Sequence, residues 1–137
     1  MSEPAVLFEK LPGVAEKHIG LVTLNVPATL NSLTLEMVDL IQAKLEQWQN
    51  DDSVVCVLFC GNGEKAFCAG GDVQALRRSS VENPGGPCEY AETFFAREYR
   101  LDYLIHTFKK PTIVWGHGIV MGGGLGIFAG CKHRVVT

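Results

Sequence analysis

The chain has 137 residues, of which 47% are hydrophobic, and a formal net charge of −3. A length in this range predicts one domain over residues 1–137, and the acidic balance excludes the basic footprint of a nucleic-acid-binding domain. No apolar run approaches the roughly 18 residues of a membrane span. The N-terminal residues lack a signal-peptide apolar segment and carry no arginine, so a cytoplasmic location is expected.

The first half of the chain predicts two strands, a helix and a third strand. Val, Leu and Phe are frequent in Ala5–Leu11 and Ile19–Asn25, which are separated by a Pro-Gly turn. Thr34 is placed to cap a helix over Leu35–Gln49, where apolar residues recur at helical spacing. The apolar run Val54–Cys60 does not alternate with polar residues, which favours a strand covered on both faces of a parallel sheet.

The second half predicts three helices and two further strands, with a loop between the first two helices. The predicted order of elements is therefore β-β-α-β-α-α-β-α-β, which indicates an α/β fold. The predicted segments are the helix Val73–Arg78, the loop Ser79–Pro87, the helix Glu89–Phe108, the strand Thr112–Trp115, the helix Leu125–Cys131 and the strand beginning at His133.

Two glycine-bearing turns carry the first functional signal, because each follows a predicted strand and leads into a predicted helix. They are Ala69-Gly70-Gly71 and Gly122-Gly123-Gly124. The first N–H groups of a helix have no internal acceptor, and the helix dipole makes that end positive. If the two strands lie side by side, both turns meet at one edge of the sheet. Two converging amides there would form an oxyanion hole for a reacting carbonyl.

Three segments resemble the crotonase (enoyl-CoA hydratase/isomerase) superfamily. They are LNVPATLNSL at Leu24–Leu33, KAFCAGGD at Lys65–Asp72 and HGIVMGGGLG at His117–Gly126. The resemblance implies an α/β fold built as a spiral of ββα units. It also implies an oxyanion hole from the N–H groups of Gly71 and Gly123. Coenzyme A, present only as part of an acyl-CoA substrate and not as a separate cofactor, would lie along the backbone near Ser32 and Ala69.

Within the superfamily, the chain resembles the 3-hydroxyisobutyryl-CoA hydrolase branch. Enoyl-CoA hydratases have a catalytic glutamate where this chain has Gly126, which cannot transfer a proton. The segment FFAREYRLDYLIHTFKKP matches the hydrolases, in which a glutamate before tyrosine contacts substrate together with the glycine turn; here these are Glu98 and Gly123. The resemblance implies thioester hydrolysis in valine catabolism.

In that branch the remaining catalytic glutamate and aspartate follow the strand that begins here at His133. We therefore expect residues 1–137 to be the N-terminal part of one crotonase-like domain, incomplete at its C-terminus. Hydrolysis of a thioester requires a base or nucleophile beside the oxyanion hole. This polypeptide alone is expected to be inactive or nearly so, and truncation is expected to expose apolar surface and favour homo-oligomers.

Glu98 also stands out without the resemblance, because it occupies a gap in the apolar stripe of its predicted helix. A buried carboxylate requires a partner or acquires a raised pKa, so the alternatives are a substrate contact and an ion pair with a nearby arginine or lysine. Asp72 has a simpler interpretation as the N-cap of the helix Val73–Arg78. The residues of the apolar stripe are Ala91, Phe94, Phe95, Leu101, Ile105 and Phe108.

Other interpretations remain open at this point. Gly124 to Ala129 matches G-x-G-x-x-A after a strand, which indicates a dinucleotide-binding enzyme, although a single match of this kind is weak. A crotonase relative without its catalytic acids would be a CoA-binding or interaction module. The five cysteines include no C-x-x-C pair, so buried free thiols are expected, and the histidines have no metal-ligand spacing.

Overall fold

The computed structural model describes residues 3–137. They form an α/β fold of seven strands and four helices, together with a short 3-10 helix at Pro27–Thr29. In this part of the chain no helix combines the length and the apolarity needed to cross a membrane. The strands are β1 Val6–Pro12, β2 His18–Leu24, β3 Val54–Gly61, β4 Ala66–Cys68, β5 Thr112–Gly116, β6 Ile119–Val120 and β7 His133–Val136; the helices are α1 Leu35–Gln49, α2 Val73–Glu82, α3 Glu89–His106 and α4 Gly123–Gly130.

The main sheet has five strands in the order β1-β2-β3-β5-β7. β1 and β2 form an antiparallel hairpin with Val6 opposite Leu24, and every later strand joins in parallel. The helices between the parallel strands are the crossovers that such pairing requires. The α/β class and the positions of the longer strands are thus confirmed.

Helix α1 has the predicted bounds, and its start is set by Thr34. The Thr34 hydroxyl accepts a hydrogen bond from the Met37 amide at 3.2 Å, which satisfies one of the free amides of the first turn. The apolar face of α1 is buried and packs against α3 and the first strands. Its fully buried residues join a single core with side chains from the main sheet, including Val22, Leu24, Val57 and Phe59.

A second, two-stranded parallel sheet of β4 and β6 lies outside the main one and was not predicted as a pair of strands. The strands are very short, but both lead directly into the glycine turns. An isolated parallel bridge between Leu33 and Gly71 joins the first of these turns to the segment before α1. The small sheet therefore holds the two glycine turns against each other.

Three predicted helix boundaries were wrong by two residues or more. The predicted loop at Ser79–Pro87 begins too early, because α2 continues to Glu82. Ser79 is buried, and the Asn83 side chain donates to its carbonyl at 2.9 Å, which satisfies one carbonyl of the last turn. α3 ends at His106, before the predicted Phe108, and α4 begins at Gly123, two residues before the predicted Leu125.

The five cysteines are all free. Cys68 and Cys131 are buried, whereas Cys56 and Cys60 on β3 are only half-buried, so the expectation of full burial was wrong for this pair. The reason is that the two faces of β3 are not covered equally, since Val57 and Phe59 are fully buried whereas the alternating positions Cys56 and Cys60 are not.

Candidate active site

The two glycine turns are in direct contact. A Cβ atom built on Gly70 would lie 3.8 Å from the Cα of Gly122 and 3.9 Å from the nitrogen of Gly123. Gly70 has φ +125° and Gly122 has φ +56°, and such values favour glycine because it lacks a Cβ atom. The parallel pairing of β4 with β6 explains the juxtaposition, since both chains leave the small sheet at the same edge.

The amides of Gly71 and Gly123 are free donors at this junction. Among the hydrogen bonds of residues 3–137, neither N–H has an acceptor, whereas the neighbouring Asp72 amide donates to Leu33 and the Gly124 amide donates to Met121. Gly123 is the first residue of α4, where no acceptor exists within the helix. The structure therefore places both amides predicted for an oxyanion hole in adjoining turns, with their donors unused.

The residues predicted to lie along coenzyme A share a groove with one of these amides. Ser32, Ala69 and Gly71 line a groove of about 560 Å³ between the 3-10 helix segment and the start of α2. The Ala69 amide donates to the Leu30 carbonyl at 3.0 Å, which fixes one wall of the groove. A larger cavity of about 760 Å³ lies between α2 and α3 and shares Asp72 with the groove.

Glu98 on α3 lies directly beneath the second glycine turn. It is only 5% exposed, and its Oε1 atom faces Gly123 so closely that a Cβ at that position would overlap it. Burial raises the pKa of the Glu98 carboxyl above its usual range. Glycine at position 123 thus leaves the space that the carboxyl group occupies.

The alternative of an ion pair for Glu98 is wrong. Its neighbours on α3, Arg97 and Arg100, contact Asp39 and Glu46 of α1 at 2.6 Å and 3.5 Å. Within the described residues Glu98 forms no ion pair. The stripe around it was predicted correctly for Phe94, Leu101 and Ile105, whereas Phe95 is 40% exposed.

Asp102 is the residue of this region that the sequence analysis missed. It follows Glu98 by four positions on α3, which places both carboxyl groups on one face of the helix. Its Oδ2 atom would lie 2.7 Å from a Cβ at Gly126 of α4, and its Oδ1 atom is buried without a hydrogen-bond partner in the described chain. Burial, followed by the charge of Glu98, raises the pKa of Asp102 to about 6. The i, i+4 spacing to Glu98 was the available signal.

Asp72 has the structural role expected of it, since its side chain accepts from the Ala75 amide at 3.2 Å and caps α2.

The dinucleotide interpretation loses its basis because the glycines of G-x-G-x-x-A face protein atoms. Gly124 is buried against the Cys68 carbonyl, and Gly126 faces Asp102. Neither leaves open backbone for a pyrophosphate group.

Comparison with known proteins identifies the family of the chain. The family described as enoyl-CoA hydratase/isomerase matches residues 19–137. The chain is 41% identical over 132 residues to 3-hydroxyisobutyryl-CoA hydrolase, mitochondrial, of Danio rerio, covering 96% of this chain and 32% of that protein. It is 40% identical over 132 residues to small ribosomal subunit protein mS47 of Neurospora crassa, covering 96% of this chain and 25% of that protein.

Among solved structures, a carnitinyl-CoA dehydratase from Mycobacterium thermoresistibile superposes with a TM-score of 0.86 at 42% identity, covering 98% of this chain and 37% of that one. The chain spans about a third or less of the length of the two curated relatives above. The expected crotonase fold of ββα units is confirmed. The match over residues 19–137 shows that the chain belongs to the enoyl-CoA hydratase/isomerase family.

Proposed function

We propose that this chain contributes the oxyanion hole of an acyl-CoA thioester hydrolase of the 3-hydroxyisobutyryl-CoA hydrolase type, acting in valine catabolism. The observation that carries the proposal is the contact between two glycine turns whose Gly71 and Gly123 amides have no acceptor in the described chain. A carbonyl oxygen held by both amides would be stabilised as negative charge develops on it. The groove with Ser32 and Ala69 would hold the coenzyme A portion beside that carbonyl.

Hydrolysis is favoured over hydration by the residue at position 126. The glutamate expected of a hydratase is replaced there by glycine, and the space beside it is occupied by Asp102 from α3. Glu98, which is buried against Gly123, would contact the acyl group of a bound thioester. Because the resemblance assigns the other catalytic carboxylates to a later segment, we expect thioester binding with little turnover by residues 1–137.

A non-catalytic role is the second candidate, favoured by the likeness to a ribosomal protein. Binding distinguishes the two candidates from each other and from a dinucleotide enzyme. In calorimetric titrations of the 137-residue chain, we expect 3-hydroxyisobutyryl-CoA to bind more tightly than free coenzyme A, and NAD not to bind. Equal affinity for the thioester and free coenzyme A would contradict the oxyanion hole and favour a non-catalytic CoA-binding module. Binding of neither ligand would favour an interaction module.

The Gly123 amide can be tested by deleting its hydrogen. Gly123→Pro removes the N–H at the first position of α4, where proline is tolerated in helices. Gly123→Ala is the matched control, because it adds the same Cβ atom against Glu98 but keeps the N–H. We expect affinity for acetoacetyl-CoA, whose enolate carries charge on the thioester oxygen, to be about tenfold lower for proline than for alanine. Equal affinities of the two variants would exclude this amide from the site.

We also propose a homo-oligomer, because large apolar side chains remain uncovered near the site. Met121 and Leu125 flank the second glycine turn and are 57% and 50% exposed. Surfaces of this kind are commonly buried by association. Sedimentation velocity checks the proposal, and a monomer at micromolar concentration would contradict it.

A further inference from the structure

We propose that Asp102 is a positioning residue of the thioester site, whose protonation is coupled to that of Glu98 and thereby sets the charge beside the Gly123 amide. The inference rests on the proposed function, because it concerns a ligand held by that amide. The observation behind it is that two carboxyl groups of α3, one helical turn apart, both point at glycines of α4. Glu98 faces Gly123 and Asp102 faces Gly126.

The pair lies where charge is poorly solvated. Glu98 is 5% exposed and forms no hydrogen bond or ion pair within residues 3–137, and the Oδ1 atom of Asp102 is buried without a partner there. Two ionised carboxylates at such a site repel each other, so protonation of one is favoured. Burial and the charge of Glu98 together raise the pKa of Asp102 to about 6.

Within the described residues no cation forms an ion pair with either carboxyl group. His106, one turn after Asp102 on α3, is exposed, and Arg134 of β7 donates to the Ala129 carbonyl near the end of α4. Helix α4, GGLGIFAG, has no titratable side chain. Asp39 and Glu46 of α1 contact Arg97 and Arg100 of α3, and Lys44 of α1 donates to Gln47. The Cys68 thiol of β4 faces Glu98 and stays neutral, since burial raises its pKa to about 11. The remaining charged groups of α2 and α1 are exposed, namely Arg77, Arg78, Glu82 and Glu36.

The functional consequence follows from the position of Gly123. A negative charge on a thioester oxygen at that amide is repelled by each ionised carboxylate below it. While Asp102 is protonated, only Glu98 can contribute to this repulsion, and as the pH rises through about 6 the charge of Asp102 is added to it. In this proposal Asp102 touches no ligand atom. It acts indirectly, because its protonation state determines the total negative charge of Glu98 and Asp102 beside the Gly123 amide.

The coupled protonation of Glu98 and Asp102 is tested first, without ligand, by carbon-13 NMR titration of the side-chain carboxyl groups. We expect Asp102 of the wild-type chain to titrate near pH 6, and its midpoint to fall in Glu98→Gln. A midpoint in the ordinary acidic range, or one that Glu98→Gln leaves unchanged, would overturn the proposal. The wild-type titration decides this point even if a variant does not fold.

The link to the ligand is tested by binding acetoacetyl-CoA to the wild type and to Asp102→Asn over a range of pH. Comparing the two proteins at each pH cancels the enolisation of the free ligand. We expect equal affinities near pH 4 to 5 and about tenfold weaker binding by the wild type near pH 8, where the pair carries two charges. Asp39→Asn is the matched control, since it removes a carboxylate that contacts α3 from the α1 side, and should follow the wild type.

The outcomes separate this inference from the proposed function. If acetoacetyl-CoA binds tightly but the ratio of the wild-type to the Asp102→Asn dissociation constant does not change with pH, only the role of Asp102 is overturned. Failure of every CoA thioester to bind at any pH would overturn both that role and the thioester function. A ratio that changes near pH 6, together with the coupled carboxyl titration, supports the proposal.

Discussion

Gly124→Ala is expected to destabilise the chain by about 3 kcal/mol, a large share of the stability of a small domain. Gly124 is buried in the first turn of α4, and a Cβ atom there would overlap the main-chain carbonyl of Cys68 and lie 2.6 Å from its side chain. The carbonyl belongs to β4 and cannot rotate away, as the end of a flexible side chain could. The methyl group must therefore push α4 away from β4, which separates the two glycine turns.

Urea unfolding of the wild type and of Gly124→Ala measures this loss of stability. Gly86→Ala is the matched control. A Cβ at Gly86 meets nothing within 4 Å, so the same chemical change is expected to be nearly neutral there. Binding of acetoacetyl-CoA by Gly124→Ala should also weaken, because the Gly71 and Gly123 amides no longer adjoin. Unchanged stability of Gly124→Ala would show that α4 does not lie against β4.

Asn31→Asp is expected to cost about 3 kcal/mol at neutral pH, although it replaces a single NH2 group by oxygen. Asn31 is fully buried, and its Nδ2 atom donates to the carbonyls of Asn62 and Ala66 at 2.9 Å and 3.1 Å. Its Oδ1 atom accepts from the Val26 amide at 2.8 Å. A carboxylate at position 31 could still accept from the Val26 amide. Its other oxygen would face the carbonyl oxygens of Asn62 and Ala66 with no hydrogen to donate to them.

The loss in Asn31→Asp should depend on pH in a defined direction. The introduced carboxyl has a folded-state pKa above its unfolded value of about 3.9, because burial and the two carbonyls disfavour its charge. The destabilisation is therefore complete above the folded-state pKa and decreases as pH falls toward the unfolded value. Denaturant unfolding at several pH values measures it. Asn50→Asp, at the exposed end of α1, is the control, and an equal loss at both positions would contradict this account.

Prediction from sequence succeeded for elements whose residue pattern lies within one long segment of the chain. Helix α1 has the predicted bounds because its cap, Thr34, and its apolar spacing both lie within the segment itself. The same reasoning failed for β4 and β6, which are too short for a pattern, and for the end of α2, which continues to Glu82. Strand pairing and burial depend on partners that lie far along the chain.

The candidate site shows the same division. Glycine turns after apolar strands, and a glutamate in an apolar stripe, were readable from the residues together with the family resemblance. Two features could not be predicted from the residues, because each joins segments that are distant in the chain. They are the contact of Gly70 with Gly122 and the position of Asp102 beside Gly126. By itself the sequence determined the α/β class, the capped helices and the two glycine turns. Only the tertiary structure decided which amides stay free and which carboxyl groups share one buried face, since both depend on close packing between elements.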